Sequence, residues 1–325
     1  GPIPTTWWDQ TVGMDIETVE QRAGPRQFGP SDELPEEYRR AATRMIQFHA
    51  NSEVMGGYLD KEFTRHAPSL DRKLANTAKV QDEIGHAQLL YRAAETLGVK
   101  TREEMLDELA NGEGKFLNCF HYPVDSWYEA PMIDFFVDGG AMRRQATLKR
   151  TSWTPYAHAM DKICFEEGFH VKHGESILRE LMTSSKAVQE RVQETFEEWW
   201  PRILQFFGPT NDESHHDEFA QRVGLKTVSN DELRNSFLNM YVPKAEKYGL
   251  EIPEYPRIFE RDDGTMAVRE EDLDWEEFWT IAKNDYEGSH EQIGSRRRRQ
   301  EAVEWVRQAM DSWDTTAESA PQAAD

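Results

Sequence analysis

The chain has 325 residues, 38% of them hydrophobic and 30% charged, which suits one large domain whose core comes from patterning rather than apolar abundance. Its formal net charge of −22 argues against nucleic acid or an anionic membrane as partner, since both would be repelled. No apolar run approaches the roughly 18 residues that span a bilayer, and two cysteines, Cys119 and Cys164, form neither a disulfide framework nor a zinc motif, so a reducing cytoplasm is expected.

Residues 1–34 are rich in Pro, Gly and acid and read as an irregular arm, with Trp7, Trp8 and Phe28 as its candidate pins. Residues 1–10 hold no basic cluster and no apolar centre, unlike a signal peptide, and the missing initiator Met reads as a processed end. Apolar residues every third or fourth position predict helices near 35–59, 69–97, 101–110, 131–150 and 154–184. Pro35, Pro68 and Pro131 sit near three of the starts, where proline is tolerated. A helix over 187–207 is expected to break or kink at Pro201, and 208–228 to form a polar loop. A helix from Asn230 to about Tyr248 follows, then an irregular or hairpin segment over 250–272 and a last helix from Asp274 to Met310. No strand pattern of any length competes, so the expected class is all-α. Residues 35–207 form its helical core, 208–312 a helical extension and 313–325 a disordered tail.

A carboxylate and an imidazole three residues apart share one helical face and can reach one metal ion. About one such Glu-x-x-His pair is expected by chance, whereas the chain has four: Glu83/His86, Glu167/His170, Glu213/His216 and Glu287/His290. The last two stand in Asn/Asp/Ser-rich or Gly-Ser surroundings and read as solvated. The first two interrupt apolar stripes. Met160, Ile163, Gly174, Ile177 and Leu181 continue the face of Glu167 and His170, and Leu90, Ala94 and Leu97 that of Glu83 and His86. An ionised Glu on a core-facing stripe costs several kcal/mol unless compensated, so a dication is expected between them.

Glu53 precedes Glu83 by 30 residues (83 − 53) and Asp138 precedes Glu167 by 29 (167 − 138). Glu53 shares its face with Ile46 and His49, and Asp138 with Phe135, Met142 and Leu148. The chain thus reads twice as a helix with one inward carboxylate followed by a helix with an inward Glu-x-x-His. That is the ligand set of ferritin-like di-iron and di-manganese four-helix bundles. Four carboxylates (Glu53, Glu83, Asp138, Glu167) and two imidazoles (His86, His170) suit iron or manganese. Such a centre can activate O₂, store iron or generate a tyrosyl radical. The competing expectation is four unrelated acids balanced by Arg or Lys.

The strings Phe48-His49-Ala50-Asn51-Ser52-Glu53, Ala78-Lys79-Val80-Gln81-Asp82-Glu83-Ile84-Gly85-His86, Val137-Asp138-Gly139-Gly140-Ala141, Thr151-Ser152-Trp153-Thr154-Pro155-Tyr156-Ala157 and Ile163-Cys164-Phe165-Glu166-Glu167-Gly168-Phe169-His170 resemble one family. It is that of the catalytic A subunits of multicomponent 1,2-phenylacetyl-CoA epoxidases. The similarity runs over about 38–200 and, less densely, to about 279, where Trp199-Trp200-Pro201, Phe207-Gly208-Pro209 and Asn230-Asp231-Glu232-Leu233-Arg234 also fit. Asp138, where many di-iron oxygenases have Glu, is a feature of that family.

The resemblance implies a ferritin-like di-iron site that adds one oxygen atom across the ring of an aryl-CoA thioester. It implies electrons from NADPH through a separate reductase bearing FAD and an iron–sulfur cluster, together with small accessory subunits and a metal-free structural homologue as partner. Lys79, one turn before Glu83, would steady a ligand or relay protons beside the centre, with Glu53 as the second catalytic group. Arg44, Lys115, Lys226 and Asn230 fall where CoA-contacting residues would fall. Arg143 and Arg144 depart from the uncharged or amide side chains expected there, and leave the substrate open; benzoyl-CoA or another acyl-CoA is the alternative. The intact ligand set argues against the non-catalytic structural partner. Ferritins would be much shorter, and no Tyr lies in a clearly radical-bearing context. The sequence offers no hydrolase or nucleotide-binding motif (G-x-S-x-G, G-x-G-x-x-G, P-loop). The acid, spread along the whole chain, favours adaptation to a salt-rich cytoplasm over an acidic docking surface.

Overall fold

A computed structural model describes residues 14–210, 215–283, 298, 301–306 and 308–312. Trp7, Trp8, Glu213, Glu287, His290 and the tail from residue 313 lie outside the described residues. The class is all-α, as expected.

Helix α1 (Ile16–Arg22) interrupts the arm expected to be irregular, because the Asp15 side chain accepts from the Thr18 backbone N–H and caps it. Phe28 then pins the arm. Its backbone pairs with Ser152 and Thr154, and its ring meets Tyr38 edge-on with centroids 5.6 Å apart. Helices α2 (Glu36–His66) and α3 (Leu70–Glu95) form a tight hairpin across a turn that ends at the N-cap Ser69. Asn76 on α3 donates to the Asp60 carbonyl and Thr64 hydroxyl of α2, and Tyr91 donates to Asn51 near the other end. Helix α4 (Arg102–Ala110) begins at a capping box of Thr101 and Glu104.

The second hairpin pairs α5 (Asp138–Leu148) with α6 (Thr154–Met182). The expected helix over 131–150 is divided. Met132–Val137 winds as a π-helix and runs into α5. Such wide turns are rare and tend to mark functional sites. Gly174 lets α6 approach it: an added Cβ would run into the backbone of Asp134 and Phe135. Contacts of α3 with α6 join the hairpins into a four-helix bundle.

An outer layer covers the second hairpin. Helix α7 (Lys186–Gln205) continues unbroken through Pro201. The proline costs one backbone hydrogen bond, but Phe196, Trp199, Trp200, Ile203 and Leu204 are buried on both sides of it and hold the helix. Helix α8 (His215–Arg222) lies inside the segment expected to be a loop. Helix α9 (Asn230–Lys247) starts at a capping box of Ser229 and Glu232. Its Phe237 and Tyr241 join Phe136, Phe196 and Trp200 in an aromatic cluster. An antiparallel hairpin of β1 (Ile258–Glu260) and β2 (Met266–Val268) lies in the segment expected to be irregular or a hairpin, before α10 (Trp275–Ala282). Among the described residues no helix is long and apolar enough to cross a membrane.

The close approach at Gly174 is testable. Gly174→Ala should lower the unfolding midpoint by several degrees, an overpacking cost of roughly 1–3 kcal/mol. Circular dichroism melting measures it, and an unchanged midpoint would contradict the contact with the π-helix.

Candidate metal centre

Each helix of the bundle contributes carboxylates to one buried cluster. Glu53 comes from the middle of α2, Glu83 and His86 from α3, Asp138 from the first turn of α5, and Glu167 and His170 from α6. All six are buried. Glu53, Glu83, His86 and Glu167 offer donor atoms within 4.8 Å of one another, and so do Glu83, Asp138, Glu167 and His170. Glu83 and Glu167 belong to both groups, which suits two ions sharing a pair of carboxylates.

The imidazoles are aimed by their outer nitrogens. His86 turns Nδ1 inward, 3.3 Å from Glu53 Oε2, while its Nε2 lies 2.9 Å from Glu166 Oε2. His170 turns Nδ1 toward Glu167 Oε2 at 3.2 Å, while its Nε2 lies 3.1 Å from Asp82 Oδ2. Each ring is therefore held by an acid from the opposite hairpin, the arrangement that fixes ring orientation and raises basicity at metal sites. The signal for Asp82 and Glu166 was present in the sequence: an acid stands directly before each Glu-x-x-His.

Lys79 lies under the other side of the cluster. Its Nζ is 2.8 Å from Asp60 and from Asp134, 2.9 Å from Asp138 and 3.8 Å from Glu83. Burial opposes its charge, but these carboxylates overcome that and hold its pKa well above the usual lysine value. Asp60 and Asp134 were not singled out from sequence, although Asp60 stands seven residues after Glu53 and Asp134 four before Asp138, both helical spacings. His49, four before Glu53, lies 2.9 Å from its Oε1 and 2.8 Å from the Tyr156 hydroxyl. Gln145, seven after Asp138, donates to Glu53 and Glu167 at 3.4 Å each.

The donor set fits metal by its charge. The cluster holds six buried carboxylates (Glu53, Asp60, Glu83, Asp134, Asp138, Glu167), four of which (Asp60, Glu83, Asp134, Asp138) lie within 4 Å of the Lys79 ammonium. Burial and then the charges of Glu167 and Glu53 push Glu83 well up. Burial, with Glu167 and despite Lys79, does the same to Asp138. Burial also works against Glu53, but hydrogen bonds from His49 and His86 hold it well below the usual range. His170 is pushed up to about 12, burial being outweighed by Glu167 and Glu83. Carboxylates forced to take protons, or imidazoles forced to keep them, would be relieved by divalent cations, and all-oxygen-plus-imidazole donors suit iron or manganese.

The carboxylate side of the cluster opens on an inner cavity of about 40 Å³, lined by Phe48, His49, Ser52, Glu53, Glu83, Leu117, Phe120, Asp138, Ala141, Arg144, Gln145, Glu167 and Phe206. Phe48, Leu117, Arg144 and Phe206 also line an outer cavity of about 510 Å³. The four residues expected at CoA, Arg44, Lys115, Lys226 and Asn230, all line that outer cavity. Lys226 is buried and donates to Asn230 at 2.6 Å, with Asp217 at 3.1 Å. Arg44 approaches His216 at 3.2 Å, so the imidazole of a discarded pair belongs to this cavity. Arg143 does not reach either cavity and donates to Ser236 at 3.1 Å.

The family described as phenylacetic acid catabolic protein matches residues 18–305. The A subunit of the 1,2-phenylacetyl-CoA epoxidase of Escherichia coli (strain K12) is 37% identical over 295 residues, which span 90% of this chain and 94% of that protein.

Reconstituted anaerobically with ferrous iron, the chain should hold about two metal ions, counted by elemental analysis. Glu167→Ala, which removes a carboxylate common to both groups, should lose metal while far-UV circular dichroism stays helical. Full metal content in that variant would remove Glu167 from the donor set.

Proposed function

Because the chain belongs to the phenylacetic acid catabolic protein family, we propose that it is the oxygen-activating component of a multicomponent di-iron monooxygenase that epoxidises the ring of phenylacetyl-CoA. One observation carries this beyond family membership: the inner cavity at the carboxylate cluster meets a larger, cation-bearing cavity across a shared wall. A ligand with a small apolar head and a long phosphorylated arm suits that pair of cavities.

Glu53, Glu83, His86, Asp138, Glu167 and His170 would hold the two iron ions. The chemistry such a pair supplies when bound is the two-electron reduction of O₂. Overall, arene, O₂, NADPH and H⁺ give epoxide, NADP⁺ and water, with the electrons delivered through a separate flavin and iron–sulfur reductase. Small accessory subunits and a metal-free structural homologue complete the assembly, in the cytoplasm.

The chain's own residues bind, orient and exclude. Arg44, Lys115 and Lys226 supply the positive charge that phosphates require on an otherwise acidic protein, and Asn230 holds the Lys226 ammonium. Phe48, Leu117 and Phe206 wall the inner cavity from the outer one. At about 40 Å³ that cavity is smaller than the roughly 150 Å³ that accommodates benzene, so the ring enters only as these side chains swing aside. His49, hydrogen-bonded to Glu53 and to Tyr156, can pass a proton to or from Glu53. Lys79 keeps Asp138 and Glu83 in place with its fixed charge.

Incubation with a compatible reductase, NADPH, O₂ and phenylacetyl-CoA should give a product about sixteen mass units heavier, one oxygen atom added. If only another thioester reacts, the substrate assignment fails and the reaction class stands. A second prediction concerns pH. Burial, and then the charge of Arg144, push Lys226 down to about 8. Below that pH it is charged and attracts phosphate; as pH rises through it, the charge is lost. CoA affinity should therefore fall severalfold from pH 7 to 9, and Lys226→Met should bind more weakly at pH 7 and flatten the dependence. An unaltered pH profile in that variant would take Lys226 out of the CoA site.

A further inference from the structure

Three consecutive residues of α5 project about 100° apart and do three different things. Gln145 reaches Glu53 and Glu167, and Arg143 turns toward α9 and Ser236. Arg144 lines both cavities, in the wall it shares with Phe48, Leu117 and Phe206. Among the described residues its guanidinium makes no hydrogen bond or ion pair, only its backbone carbonyl accepting from Thr147. A guanidinium offers five N–H donors and no acceptor. Half-buried in the same wall as Phe48, Leu117 and Phe206, it presents those donors to the cavities, where water or a ligand supplies the acceptor.

We infer that Arg144 is a specificity-determining contact that donates to the carbonyl oxygen of the bound acyl thioester. The inference rests on the aryl-CoA function proposed above. With the ring in the inner cavity and the pantetheine arm in the outer one, the acyl carbonyl crosses the wall beside Arg144. The aromatic ring has no nitrogen or oxygen acceptor, and the phosphates lie at the far end of the arm, near Arg44, Lys115 and Lys226. The two amide carbonyls of the pantetheine arm lie further along the outer cavity, so the thioester carbonyl, the acceptor closest to the ring, is the one beside the wall. Holding it fixes how deep the ring reaches toward Glu53 and Glu167, and so which ring carbons face them.

Two probes test this by titration calorimetry on the full chain: phenylacetyl-CoA and the thioether S-(2-phenylethyl)-CoA, of equal length but without the carbonyl oxygen. The wild type should bind the thioester roughly ten- to a hundredfold more tightly, the range for a hydrogen bond to a charged group. Arg144→Met should bind the two alike, and Arg144→Lys should recover part of the preference. Equal binding of both probes by the wild type, or full preference retained by Arg144→Met, would overturn the inference while leaving the aryl-CoA function standing. Uptake of neither probe by the wild type would overturn that function, and the role of Arg144 with it. Arg144→Met should also melt with the wild type, because the side chain has no protein partner to lose; a clear drop would make it a structural residue instead.

Discussion

The bundle is organised around an excess of buried negative charge. Six carboxylates lie out of water in one cluster with Lys79, at 6% exposure or less, and only closely placed cations make such a core tolerable. That requirement explains features that local propensity does not. The π-helix before α5 brings Asp134 to Lys79 alongside Asp138, so one ammonium is shared by two acids of that segment and by Asp60 of α2. Gly57 packs its bare Cα against Glu83, and Gly174 packs its own against the π-helix. Small residues there draw the helices close enough for the charges to balance.

Much of this was legible in the sequence. The two inward Glu-x-x-His pairs and the offsets to Glu53 and Asp138 depend on helical periodicity alone, and periodicity survives any arrangement of the hairpins. Asp82 and Glu166 were equally visible, as acids preceding each pair, but their pairing with the opposite imidazole is a relation between helices that no single helix encodes. The CoA candidates are a different case. Arg44, Lys115, Lys226 and Asn230 come from separate segments and follow no spacing, so only family resemblance could point to them. The misjudged elements have local causes. Pro201 signals a break, yet the buried tryptophans beside it hold α7 together, and α8 is only eight residues long, too short for its buried face to stand out from the polar stretch around it. The π-helix is invisible to a search for 3.6-residue periodicity.

The centre is two-sided. Its imidazole side leads through Glu166 and Asp82, with 21% and 38% of their side chains exposed, toward the surface of α3 and α6. Its carboxylate side leads through an apolar wall into the cation-bearing cavity. The cavities thus lie on one face of the cluster, and the acids that hold the imidazoles on the other. In a chain of net charge −22, Arg44, Lys115, Lys226 and Arg144 converging on the outer cavity amount to a local inversion of sign.

The crossed contacts, Glu166 to His86 and Asp82 to His170, bear on how the protein is made. A nascent chain that has released only α2 and α3 carries Glu53, Glu83 and His86, but the acid that orients His86 lies 80 residues downstream (166 − 86). Until α6 is made, the first hairpin has Lys79 beside Asp60 and His49 beside Glu53 as partners for its acids, and the carboxylate that orients His86 is still to come.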